Sequence, residues 1–320
     1  MKKIVFLLCS ACVFLSLNVF AQKQNTYYIK NNGDYVTTLD SADFIRVVRE
    51  PEKGSKLYPT NEYYLTGEKK SYGNSSLIDP AFYEGQYVSF YKNGMKKKFM
   101  NYVRNKVVDS VFSYFSNGKL YSSSFYSAIG DSSVIYLRTL NDSTGTTLVQ
   151  DGNGRAVVYD EDFKYVTGTG NVKNGRYDGE WTGELRTSAD TLRYKEVYAE
   201  GKMLSGESAD GKGNVYHYTT SYAKPTFKGG MDNFYRQVGR GVRYPPNAAR
   251  QGIQGAANIK FVILTNGEIS DVHANNDVDP ALAAEAVRMI KSLKGWQPAR
   301  LKGRLIDVSF AVPITFMLGR

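Results

Sequence analysis

Cysteine is almost missing from this chain: 320 residues hold two, Cys9 and Cys12, both near the start. A chain beginning after residue 21 therefore has no disulfide, no thiolate metal site and no thiol nucleophile. Histidine is equally scarce, with only His217 and His273. No Gly-x-Ser-x-Gly elbow, His-Glu-x-x-His pair or complete phosphate-cradling loop is present; Gly211-Lys212-Gly213-Asn214 is turn-like and lacks the rest of such a loop. The carboxylates Asp277 and Asp279 read as loop and helix cap, and Asp160-Glu161-Asp162 as a solvated turn. Catalysis is thus excluded on inventory, and no cofactor or metal is expected. Of nine prolines, only Pro51, Pro59 and Pro80 fall between residues 27 and 222. Long apolar runs are missing too: after Ile4–Leu17 none reaches the length needed to cross a bilayer.

That single apolar run follows Lys2 and Lys3 and precedes Val19-Phe20-Ala21, the pattern of an export signal over residues 1–21 cut to leave Gln22 first. Retained instead, the same run would anchor the chain in the inner membrane. The expected location is the periplasm. The net charge is +10, and residues 225–320 hold thirteen Lys/Arg against seven Asp/Glu. A basic exported segment favours acidic partners, anionic head groups or cell-wall polymers. Nucleic acid is not an expected partner.

Residues 27 to 222 are rich in Tyr, Gly, Ser and Asn, with short strand-like runs ending in turns with Gly. Glu62–Gly67, Val88–Gly94 and Phe112–Gly118 carry glycines spaced 27 and then 24 residues apart. A weaker continuation runs through Gly154, Gly175 and Gly201. Asn-Gly pairs such as Asn93-Gly94 and Asn117-Gly118 mark hairpins, because both residues accept positive φ. A period in the twenties with aromatic hairpins signals a stacked repeat, each unit burying its rings against the next. Gly175-Arg176-Tyr177-Asp178-Gly179-Glu180-Trp181 resembles the MORN repeat most closely. The resemblance extends over 58–126 and 170–203 and is poor over 127–165. Tyr is unusually common, at 25 residues; repeat core explains this better than a sugar-stacking surface. Residues 22–57 read as a capping segment with a polar turn at Asp40–Asp43, and 58–222 as the repeats. A dozen strands about 4.8 Å apart would make a spacer of roughly 50–60 Å.

Residues 225–320 change character. The pattern predicts a helix over Met231–Val238 and a second one opened by Pro246 and ended by Gly252. A hairpin follows, its first strand alternating Ile259, Phe261 and Ile263, turning at Asn266-Gly267 into 268–274. Asp279 then caps a helix starting at Pro280, with Leu282, Ala286, Ile290 and Leu293 as its buried stripe. Trp296 reads as core and Leu305–Phe316 as a long final strand, which Pro313 assigns to a sheet edge. The fold class is therefore a mainly β repeat region of stacked hairpins followed by a small α+β domain.

Pro225-Thr226-Phe227-Lys228-Gly229-Gly230, Val242–Arg250, Gly252–Gly255 and Gly295-Trp296-Gln297-Pro298, in this order, resemble the TonB C-terminal domain. The resemblance implies a protein-binding domain that adds a short extended peptide of an outer-membrane TonB-dependent transporter to a sheet edge. It places that edge at Ile306, Asp307, Val308, Ser309 and Phe310, and a second contact at Arg243, Tyr244 and Pro245. Inner-membrane motor proteins are further partners under this reading. Two free edges pairing would give a homodimer. The chain departs from the energy-coupling pattern: residues 1–21 contain no His, and no Pro-rich spacer follows them. The alternative is a repeat-based envelope scaffold, bound to cell wall or protein, with no transport role.

Overall fold

A computed structural model describes residues 23–129, 132–187, 190–275 and 278–318. The signal segment 1–21 and Asp277 lie outside the described residues. No described helix is long and apolar enough to cross a membrane.

Seventeen strands form one antiparallel sheet. From Phe44–Arg49 to Val215–Tyr218, each strand pairs with its successor in sequence. Gln24–Ile29 pairs on the other side of Phe44–Arg49 and bears Tyr35–Val36 on its outer side. The segment expected to cap the repeats thus contributes three strands to the same sheet. Its polar turn is a short 3-10 helix, Leu39–Ser41.

Turn chemistry sets this meander. Asp151-Gly152, Asn174-Gly175 and Glu200-Gly201 each have positive φ at both residues, the two-residue geometry whose twist matches that of the flanking strands. At the opposite strand ends, the amides of Gly67, Gly94, Gly118 and Gly145 each close a turn onto the carbonyl three residues back, at 2.9–3.0 Å. This corrects the sequence reading. Gly145, not Gly154, continues the series, and it does so inside the stretch where the pattern looked poor; Gly154 lies within strand Asn153–Tyr159.

The repeat period is visible in side-chain bonds between units. Tyr64 Oη donates to the Phe90 carbonyl at 2.8 Å, Tyr91 Oη to Tyr114 at 2.7 Å, and Tyr194 Oη to Thr167 at 2.7 Å. Tyr64, Tyr91 and Tyr194 thus pack their rings within the stack while their hydroxyls tie to a neighbouring unit. Tyr177 and Trp181 stack with centroids 3.7 Å apart. The indole lies flat on Gly170, where an added Cβ would meet the ring at 2.3 Å.

The last domain has helices α1 (Gly230–Gly241), α2 (Pro246–Arg250) and α3 (Pro280–Ser292). The first is longer than the predicted Met231–Val238, because Gly229 and Gly230, both at φ +80, turn the chain straight into it. Asp279 caps α3, accepting from Ala281 N at 2.9 Å. A three-stranded sheet runs in the order Ile269–Ala274, Gly255–Ile263, Val308–Phe316. Its core joins Ile259, Phe261, Leu282, Ala286, Ile290 and Trp296 with Phe227 and Phe234 of the entry segment and α1. Met289 joins the α3 stripe, unforeseen by the spacing argument.

The expected single strand Leu305–Phe316 is two strands. Arg304–Ile306 pairs with Ala299–Leu301, and Val308–Phe316 pairs with Gly255–Ile263. The break falls at Asp307, whose carboxylate leaves the ladder to accept Thr265 N at 2.7 Å.

The domain touches both outer strands of the large sheet. At one end the Lys302-Gly303 turn enters it: Lys302 Nζ meets Glu196 at 2.7 Å, and Ser208 Oγ donates to the Lys302 carbonyl at 2.7 Å. Gly303 lies so close to Tyr216 and Tyr218 that a Cβ would meet them at 2.9 and 3.1 Å. At the other end, Lys260 Nζ pairs with Asp34 and donates to the Asn32 carbonyl at 3.0 Å. Laid flat, sixteen steps between seventeen strands of about 4.8 Å would separate these ends by roughly 75–80 Å. A domain of about 100 residues has a radius of gyration near 13 Å and cannot reach both ends of a flat sheet. The sheet must curl, so it is not the straight spacer expected from strand count alone.

Candidate protein-binding edge

The three-stranded sheet has two outer strands, and they are not equivalent. Ile269–Ala274 is bulged: its register against Gly255–Ile263 shifts between Lys260 and Val262, and Asp271 sits at φ +49. It also faces the large sheet across a polar cleft of about 600 Å³, lined by Tyr27, Lys30, Asp34 and Asp79 opposite Asp271 and His273. A bulge and a covering segment are both ways of blunting an edge.

The other outer strand, Val308–Phe316, is regular. Its register to Gly255–Ile263 is continuous from Val308 opposite Ile263 to Phe316 opposite Gly255. The core-side residues Val312, Ile314 and Phe316 are buried, while Ser309, Ala311, Pro313 and Thr315 are exposed. Among the described residues no strand pairs with its outer side. The alternation that made this strand legible fixes one face against the helices and leaves a row of main-chain groups at its outer edge.

The expected site residues fall in two places. Val308, Ser309 and Phe310 lie on this strand; Ile306 is in the preceding hairpin opposite Ala299, and Asp307 is the break. Arg243, Tyr244 and Pro245 link α1 to α2. Arg243 is exposed, and its amide donates to Glu285 Oε1 at 2.6 Å. Arg288, bound to the same carboxylate, holds Glu285 below the usual carboxylate range, chiefly through that hydrogen bond. Tyr244 Oη donates to the Ile253 carbonyl at 2.6 Å, and its ring meets Phe316 edge-on at 5.6 Å. The linker therefore adjoins the C-terminal end of the final strand. Phe310 is six residues away, about 20 Å along an extended chain. The structure brings Tyr244 to Phe316, not to Ile306–Phe310.

Sequence reasoning missed the Lys302-Gly303 turn and its receptor, Glu196. Glu196 is 3% exposed. Besides Lys302 it accepts from Tyr218 Oη at 2.9 Å, Ser221 Oγ at 2.8 Å and Tyr198 Oη at 3.0 Å. Burial alone would raise its pKa, but the Lys302 ammonium and these hydroxyls outweigh burial and lower it. At Lys302 burial dominates over Glu196 and lowers the ammonium's pKa. The signal was present: in Tyr194–Tyr198 the strand alternation puts Glu196 on the same face as two inward tyrosines.

Comparison with known proteins bears on this domain. The family model described as Gram-negative bacterial TonB protein C-terminal matches residues 240–318. Residues 240–318 thus match the family of TonB C-terminal domains. The match starts in the last turn of α1 and holds the α1–α2 linker, the Lys302-Gly303 turn and the whole final strand. A solved structure similar to part of the chain is the NMR solution structure of the Helicobacter pylori TonB C-terminal domain. It shares 23% identity, covers 28% of this chain and 81% of its own, and has a TM-score of 0.25. No curated protein matches the chain. TonB proteins act in transport at the cell envelope, and the TonB C-terminal domain family interacts with outer-membrane TonB-dependent transporters in general. The repeat sheet lies outside the matched residues, and its likeness to MORN repeats remains the expectation drawn from the sequence.

Proposed function

We propose that this protein binds an extended segment of an outer-membrane TonB-dependent transporter in the periplasm, by strand addition to the outer edge of Val308–Phe316, and so supports transport. One observation carries the reading: within a domain that matches the TonB C-terminal family, one outer strand is bulged and faces the repeat sheet, while the other is regular and exposed. Main-chain bonds supply affinity with little demand on the partner's sequence. Val308, Ser309 and Phe310 are on that edge. Arg243, Tyr244 and Pro245 flank its far end, and Ile306 and Asp307 lead into it. No group at this edge suits covalent chemistry, and the protein acts as a binding module, not an enzyme.

The curled sheet modifies the role of the repeats. Held to the last domain at both ends, it serves as a rigid platform that orients the edge. Coupling to an inner-membrane motor requires residues 1–21 to stay attached as an anchor.

The test is calorimetric titration of the full chain with a peptide from the periplasmic N-terminus of a transporter from the same source. Binding is expected, and Ala311→Pro is expected to abolish it. That substitution deletes an outward amide at the same strand parity as Pro313, which the fold already accepts. Absence of binding, with retention of the chain on purified cell wall, would establish the scaffold reading instead. Binding undiminished in Ala311→Pro would move the site away from this edge.

A further inference from the structure

Pro313 stands within the exposed edge, and its ladder position determines what the edge can accept. Asn258 is opposite Pro313. The Asn258 carbonyl accepts the amide of Asn275, on the side of Ile269–Ala274. The amide and carbonyl of one strand residue point the same way, so Asn258 faces away from the final strand. The Asn258–Pro313 pair is therefore a non-hydrogen-bonded pair. Pro313 and the residues two and four away, Ala311, Ser309 and Thr315, direct their main-chain groups to the open side. Proline has no amide hydrogen. The outer edge thus offers complete donor and acceptor sets at Ser309 and Ala311, loses its donor at Pro313, and resumes only at Thr315, one residue short of the strand's end.

Resting on the strand-addition reading, we propose that Pro313 terminates the template. The partner segment is then a short extended peptide of about five residues, registered on Ser309 and Ala311 rather than along the whole strand. Its chemistry follows from the strand faces. Ser309 and Ala311 are exposed on the open face, whereas Phe310 is half-buried on the core side, its ring 5.1 Å from Trp296 and 5.9 Å from Phe261. Cross-strand neighbours on one face lie about 4.5–5.5 Å apart. The peptide residue opposite Phe310 therefore extends the core and is apolar, with small or polar residues on either side of it. The same missing donor protects the edge from a second copy of this chain, because a two-fold pairing of final strands meets the gap twice.

The proposal is tested with the full chain and Pro313→Thr, using nested transporter N-terminal peptides of about five to nine residues centred on an apolar position. For the natural chain, affinity is expected to level off once about five residues are present. For Pro313→Thr the longer peptides are expected to bind about two- to ten-fold more tightly, the effect of one added main-chain bond; the shortest should be unchanged. Sedimentation of Pro313→Thr is expected to show concentration-dependent dimerisation that the natural chain lacks. Pro313→Val serves as a second variant should Thr disturb the fold. Affinity that keeps rising with length in the natural chain, and is unaltered by either substitution, would overturn the proposal while leaving strand addition intact. If no peptide binds either protein, the strand-addition reading fails, and sedimentation alone decides whether Pro313 guards the edge. Unchanged self-association would then overturn it.

Discussion

Glu196 is one of the residues that tie the last domain to the large sheet. Its carboxylate is nearly sealed, accepts three hydroxyls and faces the Lys302 ammonium at 2.7 Å. A buried pair adds little net stability over an apolar replacement, yet removing one partner leaves an uncompensated charge inside. Glu196→Ala is therefore expected to destabilise docking of the domain by about 3 kcal/mol, measured by urea denaturation with the domain's own Trp296 as reporter. The pH response follows in sign. The folded-state pKa of Glu196 lies below the ordinary carboxylate value. The carboxylate therefore stabilises above that ordinary value and loses its contribution as pH falls through the folded-state pKa. Glu62, in another strand of the sheet, adds to the same acid sensitivity: burial would raise it, but Lys70 at 3.0 Å and Arg46 at 2.9 Å lower it. Glu196→Gln should flatten the stability profile below about pH 4.5; a profile identical to that of the natural chain would assign the acid sensitivity elsewhere.

At the scale of the element, the hairpin is the unit of the large sheet, and its turns were the most legible part of the sequence. Asn174-Gly175 announced itself because both residues tolerate left-handed backbone, whereas at Asn93-Gly94 and Asn117-Gly118 only the glycine is left-handed and the Asn side chain accepts the amide two residues on. The helices of the last domain were legible for a similar reason, with Pro246, Asp279-Pro280 and Gly252 as local stop and start signals. Less legible was everything that depends on residues distant in sequence. The Gly145 turn was overlooked because its flanks, Asp142-Ser143-Thr144, lack the aromatic pattern, although Asp142 rebuilds the turn by accepting from Thr144 N and Thr146 N, each at 2.9 Å. The break at Asp307 was invisible because it depends on Thr265, 42 residues away. The edge position of the final strand followed from Pro313, whereas the fate of the opposite edge required the approach of the first hairpin. Turn chemistry also predicts where the sheet is brittle. Gly152 combines φ +78 with a contact in which an added Cβ would meet Gly175 N at 2.5 Å. Gly152→Ala should cost about 1–3 kcal/mol. Stacked units couple mainly to neighbours, so its denaturation curve should separate into two transitions, while a single unshifted transition would show that the turn relaxes freely.

For the whole molecule, the decisive fact is that one domain holds both ends of the sheet. The Lys302-Gly303 turn reaches back 94 residues to Ser208 and 106 residues to Glu196. The pairing of Lys260 with Asp34 spans 226 residues, and it exists only because the intervening strands curl. Curvature also brings Lys97 to Asp162 at 3.3 Å and seats Phe163 on Phe115 and Tyr121, with centroids 4.7 and 4.8 Å apart. The arc is thus held by its own rings and charges as well as by the bridging domain. Cutting only the bridge separates these causes. In the triple variant Lys260→Ala, Lys302→Ala and Arg304→Ala, the ion pairs to Asp34, Glu196 and Asp190 are gone while the arc contacts remain. If the bridge maintains curvature, small-angle scattering should show the maximum dimension growing toward the roughly 75–80 Å flat path plus the width of the released domain. If the arc is self-supporting, the dimension should change by little more than that domain's displacement, and protease sensitivity should appear at 219–221 alone, between the large sheet and Tyr222–Ala223, which pairs with Arg300 and Leu301. The two outcomes assign different roles to the repeats. A self-supporting arc is a fixed platform for the binding edge, whereas an arc that opens when the bridge is cut couples the position of that edge to the shape of the whole sheet.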